Sequence, residues 1–161
     1  MLLYHGSNVS VKEPKIMVTN RFLDFGSGFY TTTNYEQSLN FARKVTSRRK
    51  NGIPSVNIYN FDETKIKKLS VLNFESANEN WLDFVSANRT GQKISSNYDL
   101  IIGPVANDDV YQTFTLYSNG IYTKEQTIEV LKIKKLYNQY VFKTDNAISC
   151  ISFIKVENGK E

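Results

Sequence analysis

One histidine, His5, and one cysteine, Cys150, are present in the whole chain, and that scarcity removes much chemistry at once. A structural zinc site usually takes four Cys or His ligands, so no metal is expected. A Ser-His-acid triad would have to use His5, yet no G-x-S-x-G elbow exists, and "GSG" at 26–28 lacks the spacing. There is no G-x-x-x-x-G-K-[ST] phosphate loop, and "FGSGFY" falls short of a dinucleotide fingerprint. What remains is polar and aromatic chemistry around His5 in "LLYHGS", where an apolar run meets Gly6 and Ser7. An imidazole there can donate from one ring nitrogen while its neighbours hold the other. A following glycine leaves no side chain between backbone and ligand.

The elements that must position such a group are those of a mixed α and β chain without internal repeats. "MLLYH" reads as a first strand. A long loop follows to Gly28, then "FYTTT" reads as a second strand. Asn34 and Gln37 have capping-box spacing ahead of a helix whose apolar face carries Leu39, Ala42 and Val45, and "NGIP" stops it. "SVNIYNF" predicts an alternating strand with Val56, Ile58 and Asn60 on one side, and "KIKKLSVLNF" another strand. Ser76 and Glu79 repeat the capping spacing before "ENWLDFVSANR", where Trp81, Phe84 and Val85 form a helical stripe. "YDLIIG" predicts a short buried strand. "DDVYQTFTLYS" and "TKEQTIEVLKIKKL" predict two helices, with Thr123 and Gln126 as a third capping pair. "YNQYVFKT", "DNAISCI" and "SFIKVE" predict strand, short helix and strand.

At 161 residues with no linker, residues 1–161 are expected to form a single domain of α+β class. A lone cysteine cannot make an internal bridge, and the N-terminus lacks the basic segment and apolar run of a secretory signal, so a cytoplasmic location is expected. No stretch reaches the roughly 20 apolar residues of a spanning helix, so no membrane is expected as a partner. The net charge of +4 permits an anionic partner without demanding one.

Three separated segments carry a further signal: "YHGS", "FGSGFYTTTNYEQSLNFA" and "NQYVFKTDNAISCISFIKV". In that order they resemble the mono- and poly-ADP-ribosyltransferases of the diphtheria-toxin-like branch, whose signature is a His, a Tyr and an acidic residue on three strands. With "WLDFVSANR" and "YDLIIGPVANDD" added, the chain is similar to small bacterial and phage toxin-like domains of that superfamily. The resemblance implies an ADP-ribosyltransferase fold, with two facing antiparallel sheets holding NAD in the cleft between them and helices outside. It implies transfer of ADP-ribose from NAD to a macromolecular acceptor, protein or nucleic acid, with release of nicotinamide and no metal. An intracellular toxin or effector, with an antitoxin protein as partner, is the setting it suggests.

By the same resemblance His5 meets a ribose hydroxyl, the backbone of Gly6 holds the nicotinamide carboxamide, and Ser7 and Thr31 flank these positions. Tyr30 and Phe41 stack on the nicotinamide ring, and Ser38 meets its carboxamide. Gln139 stands where the catalytic glutamate usually sits. A neutral amide stabilises an oxocarbenium-like ribose less than a carboxylate does, because charge-assisted hydrogen bonds are about twice as strong as neutral ones. The catalytic set implied is thus His5, Tyr30 and Gln139.

Other residues read two ways. Asp108 and Asp109 suit the first turn of a helix, or a substrate contact; Arg89 suits a helix end, or a phosphate. "RKVTSRRK" at 43–50 reads as a basic helix end, or as an RNA-binding segment around Arg48 and Arg49. Cys150 reads as a small buried hydrophobe. The rival to an enzyme is a catalytically inactive NAD- or nucleic-acid-binding module of the same fold.

Overall fold

The computed structural model describes residues 1–16, 23–92, 97–104, 108–133 and 137–159, the side chains of 108–111 and 133 excepted. Seven strands are present among them: β1 (Leu2–Ser7), β2 (Phe29–Thr32), β3 (Ser55–Phe61), β4 (Val71–Asn73), β5 (Leu100–Pro104), β6 (Asn138–Phe142) and β7 (Ile151–Asn158). Five α-helices accompany them: α1 (Tyr35–Arg49), α2 (Glu79–Arg89), α3 (Asp108–Ser118), α4 (Lys124–Ile133) and α5 (Asp145–Ile148). The α+β class is as the sequence implies. The strands, however, join in one hydrogen-bonded sheet, ordered β4-β5-β6-β2-β1-β3-β7, rather than in two separate sheets. It is mixed, because β4 and β5 run parallel across the α2 crossover while every other pair is antiparallel.

The sheet is continuous but unevenly joined. β1 pairs with β3 along its whole length, from Leu2↔Asn60 to Ser7↔Ser55, yet meets β2 only at Tyr4↔Thr32. Beyond that pair the two strands separate, and His5, Gly6 and Ser7 have no strand partner on the β2 side. The sheet therefore consists of two halves, β4-β5-β6-β2 and β1-β3-β7, with a seam between them.

Each face of the sheet carries its own core. One face packs Ile101 and Val141 with Phe25, Phe74, Trp81, Leu82, Val85, Phe114 and Leu131 from the surrounding loops and helices. The opposite face packs Leu3, Phe29, Tyr59, Phe61, Leu100, Ile102 and Phe142. Burial from both sides explains β3: it does not alternate, since every residue but Asn60 is buried. α1 seats Leu39 against Val56 and Ile58.

Local signals hold for most boundaries. The Asn34 side chain accepts the Gln37 N–H at 2.8 Å and starts α1. Thr123 and Gln126 form a reciprocal box, each side chain bonding the other's backbone N–H, ahead of α4. Two expectations change. α2 is capped by Asn78, which accepts from Trp81 N–H at 2.9 Å, and not by Ser76. The lysine-rich stretch before β4 is a 3-10 helix (Glu63–Lys68), not a strand. Asp62 caps it, and Ile66 and Leu69, three residues apart, pack together on the second core, which is the period of a 3-10 turn. Among the described residues no helix is long and apolar enough to cross a membrane.

Candidate functional site

The seam between β1 and β2 gathers most of the chemically interesting residues. Where backbone pairing stops, the His5 side chain takes over: its Nδ1 lies 2.7 Å from the Tyr30 carbonyl oxygen. A carbonyl only accepts, so Nδ1 carries the proton. The ring stacks on Phe29 with centroids 4.3 Å apart. Burial holds its pKa below the ordinary histidine value, opposed by the Tyr30 bond and assisted by the positive charge of Arg49. The imidazole is therefore neutral, and Nε2 is an acceptor.

Tyr30 leaves the opposite face of the sheet. Its ring packs beside the first core, and its hydroxyl donates to the Gly26 carbonyl while accepting the Phe25 N–H at 3.1 Å. Burial of the hydroxyl pushes its pKa up, so the phenol stays protonated. Two further groups grip the same turn. Asp24 accepts from Arg89 Nε and Nη2, both 2.6 Å from Oδ1, and the Lys143 ammonium donates to the Phe25 carbonyl at 2.7 Å. Burial lowers the Lys143 pKa to about 8. The turn at 23–26 is thus tied to β2, to the end of α2 and to the segment after β6.

Arg89 consequently has a different role from the phosphate contact considered above. It sits in an ion pair with a buried carboxylate, and its guanidinium carbon lies 5.2 Å from the Phe114 ring centroid. Thr31 is also committed, donating to the Tyr140 carbonyl at 2.8 Å. Ser7 is buried at the end of β1 opposite Ser55.

Gly6 is required for a reason beyond ligand access. A Cβ there would collide with the Ser38 carbonyl oxygen and stand 2.9 Å from the Ala42 amide nitrogen. Only a glycine lets α1 lie this close to β1, and that approach brings Ser38 to the seam. Ser38 is 2% exposed, and among the described residues its hydroxyl has no hydrogen-bond partner. Phe41 is 51% exposed. It lies one helical turn beyond Gln37, whose Oε1 accepts from the Thr32 hydroxyl at 2.6 Å, so it stands on the flank of α1 turned toward β2. It makes no ring contact with Tyr30 among the described residues.

Gln139 faces Thr32 on one side and Gly103 on the other. Opposite residues in antiparallel strands share a face, and so do residues two apart. Tyr30, Thr32 and Gln139 therefore share one face, with Tyr30 and Gln139 as diagonal neighbours about 7–8 Å apart by sheet geometry. Gln139 is 6% exposed, and its buried Nε2 has no partner. The structure thus joins His5 to Tyr30, Gly6 to Ser38, and Gln139 to the Tyr30 face. His5 itself lies on the Phe29 side of the seam. Asp108 and Asp109 begin α3, and their side chains fall outside the described residues.

The basic end of α1 is partly engaged, since Arg49 donates to Asn8 Oδ1 at 3.0 Å. Neither the Asp24–Arg89 pair nor Lys143 was visible in the sequence, because partners 65 and 118 residues apart leave no local pattern. No curated protein and no solved structure matches the chain. A family of proteins matches over residues 1–153, and the chain belongs to it: the family is described as "Protein of unknown function (DUF3990)".

Proposed function

We propose that this protein is an ADP-ribosyltransferase of the ADP-ribosyltransferase fold that uses NAD as donor and a macromolecule as acceptor. One observation carries the reading. Among the described residues only three buried side-chain polar atoms lack a hydrogen-bond partner, and two of them are Ser38 Oγ and Gln139 Nε2. Each such atom costs about 1–3 kcal/mol, so a fold retains it where a ligand supplies the missing partner. A carboxamide and ribose oxygens would supply both.

In this reading the Tyr30 ring stacks on nicotinamide, with Phe41 on the flank of α1 as the second ring. The Gly6 backbone, left without a strand partner on the β2 side, pairs with the carboxamide beside Ser38. Neutral His5 accepts a ribose hydroxyl proton at Nε2. In the reaction the bond between ribose C1′ and the nicotinamide nitrogen breaks, and nicotinamide leaves with the electron pair. An acceptor nucleophile forms the new bond at C1′ and releases its proton to water. Positive charge develops on the ribose, and Gln139 meets it with an amide dipole only. Turnover is accordingly slow, which suits a toxin or effector held in check by an antitoxin.

The neutral amide of Gln139 also favours a second reading, an inactive NAD- or nucleic-acid-binding module. Incubation with labelled NAD and a cell lysate separates the two. The transferase reading expects label transfer together with free nicotinamide, rising about tenfold or more in Gln139→Glu, where a charged acceptor replaces the amide. Absence of both products in the wild-type and Gln139→Glu proteins, with NAD still bound, establishes the binding module instead.

A further inference from the structure

In the strand order an open groove lies on the far side of Gln139 from the seam. It has a volume of about 610 Å³ at the carboxyl end of β4 and the start of α2. Phe74, Phe84 and Tyr98 give it aromatic walls, and Asn73, Asn78 and Asn80 supply amides. Glu75 is the one carboxylate among its lining residues, and no lysine or arginine is among them. Asn78 Oδ1 is occupied by the Trp81 N–H, which leaves its NH₂ group.

One wall of the groove, Phe74, backs onto β5. A Cβ at Gly103 would stand 3.1 Å from both Phe74 and Phe25, and Gly103 lies directly opposite Gln139. In the strand order Gln139 separates the groove, beside β4 and β5, from the seam between β2 and β1.

We propose that this groove binds a base of a single-stranded nucleic acid, which is the acceptor strand; its role as acceptor rests on the transferase reading. The chemistry selects a base. Aromatic faces stack any planar heterocycle, amides pair with ring and exocyclic groups, and a carboxylate accepts from an exocyclic amine. Adenine, cytosine and guanine carry such an amine at the Watson–Crick edge, and uracil and thymine carry none. Among the described residues none that lines it is a cation, and the place for phosphates is beside the groove. The Ser70 N–H donates to Asp99 at 2.9 Å, which brings the end of the 3-10 helix next to Tyr98. Lys67 and Lys68 are exposed there.

Fluorescence anisotropy with labelled eight-nucleotide RNA and DNA homopolymers, at 50 mM salt and without NAD, tests the site. Binding is expected, with A or C preferred over U or T, weakened ~10-fold by Tyr98→Ala. Glu75→Ala, at an exposed position, removes the carboxylate that accepts from the exocyclic amine and is expected to erase the preference and leave the fold intact. Lys67→Ala with Lys68→Ala should weaken all sequences alike and flatten the salt dependence. No binding, or binding indifferent to both Tyr98→Ala and Glu75→Ala, overturns the proposal. So does NAD-dependent labelling of protein alone in nuclease-treated lysate, with no oligonucleotide bound. Oligonucleotide binding with the expected variant effects but no label transfer leaves the groove standing and removes the transferase reading.

Discussion

At the scale of single residues, cost and use are separated most clearly by Ser38 and Gln139. A buried hydroxyl or amide without a partner lowers stability, so removing it should raise stability if nothing else depends on it. Gln139→Leu and Ser38→Ala are each expected to stabilise the free protein by about 1 kcal/mol in urea unfolding and to weaken NAD binding at the same time. Destabilisation by both would mean that these groups hold the fold together, and the functional reading would lose its main support. His5 gives a pH signature with a defined sign. Its folded pKa lies below the ordinary 6.5, so on acidification the unfolded chain takes up the proton first. Stability should therefore fall as pH drops below 6.5, down to the folded pKa, and NAD affinity should fall with it as Nε2 ceases to accept. His5→Gln keeps a donor for the Tyr30 carbonyl and should flatten the stability difference between pH 7.5 and 5.5. An unchanged slope in that variant would assign the effect to other groups.

Among the elements, the helices were legible from the sequence because a cap is a local event. Asn34 before α1 and Thr123 before α4 act through backbone groups two or three residues away, and those spacings survive in any context. At α2 the Ser76–Glu79 spacing misled, because Asn78, three residues before Trp81, makes the cap instead. The lysine-rich stretch misled for a related reason, since Ile66 and Leu69 fit a 3-10 turn as well as a strand until the second core shows where both must go. The glycines mark a tight turn at the end of the long loop, but what fixes the turn at 23–26 was illegible, because Arg89 and Lys143 reach it from distant segments. Its importance can be measured. Asp24→Asn leaves Arg89 facing a neutral amide in a half-buried position and is expected to cost about 2 kcal/mol. The double variant Asp24→Asn, Arg89→Gln should recover part of that loss. If the pair orients Tyr30, NAD affinity and the near-UV tyrosine signal should track the same order; a stability change without either would confine the pair to structure.

The whole molecule depends on how the halves of its sheet meet, and no stretch of sequence announces that. "MLLYH" and "FYTTT" read as strands, although β1 runs on through Gly6 and Ser7, and the resemblance places their residues in one site. Their near-separation follows from the geometry of β1, which is zipped to β3 but touches β2 at one pair. A glycine against α1 and a histidine bonded to a neighbouring backbone are what a strand needs in order to leave its partner without stranding polar groups. The resulting seam is the least supported part of the sheet, whereas β3 is paired on both sides, with β1 and β7. Hydrogen exchange should follow that division: amides of β3 slowest, those of residues 5–7 and 29–31 faster by an order of magnitude or more. NAD should slow exchange selectively in those two stretches, because a ligand that fills the seam supplies the contacts the missing ladder does not. Uniformly slow exchange across β1 and β2 without ligand, or protection by NAD elsewhere only, would show that the seam is closed backbone and that the donor binds outside it.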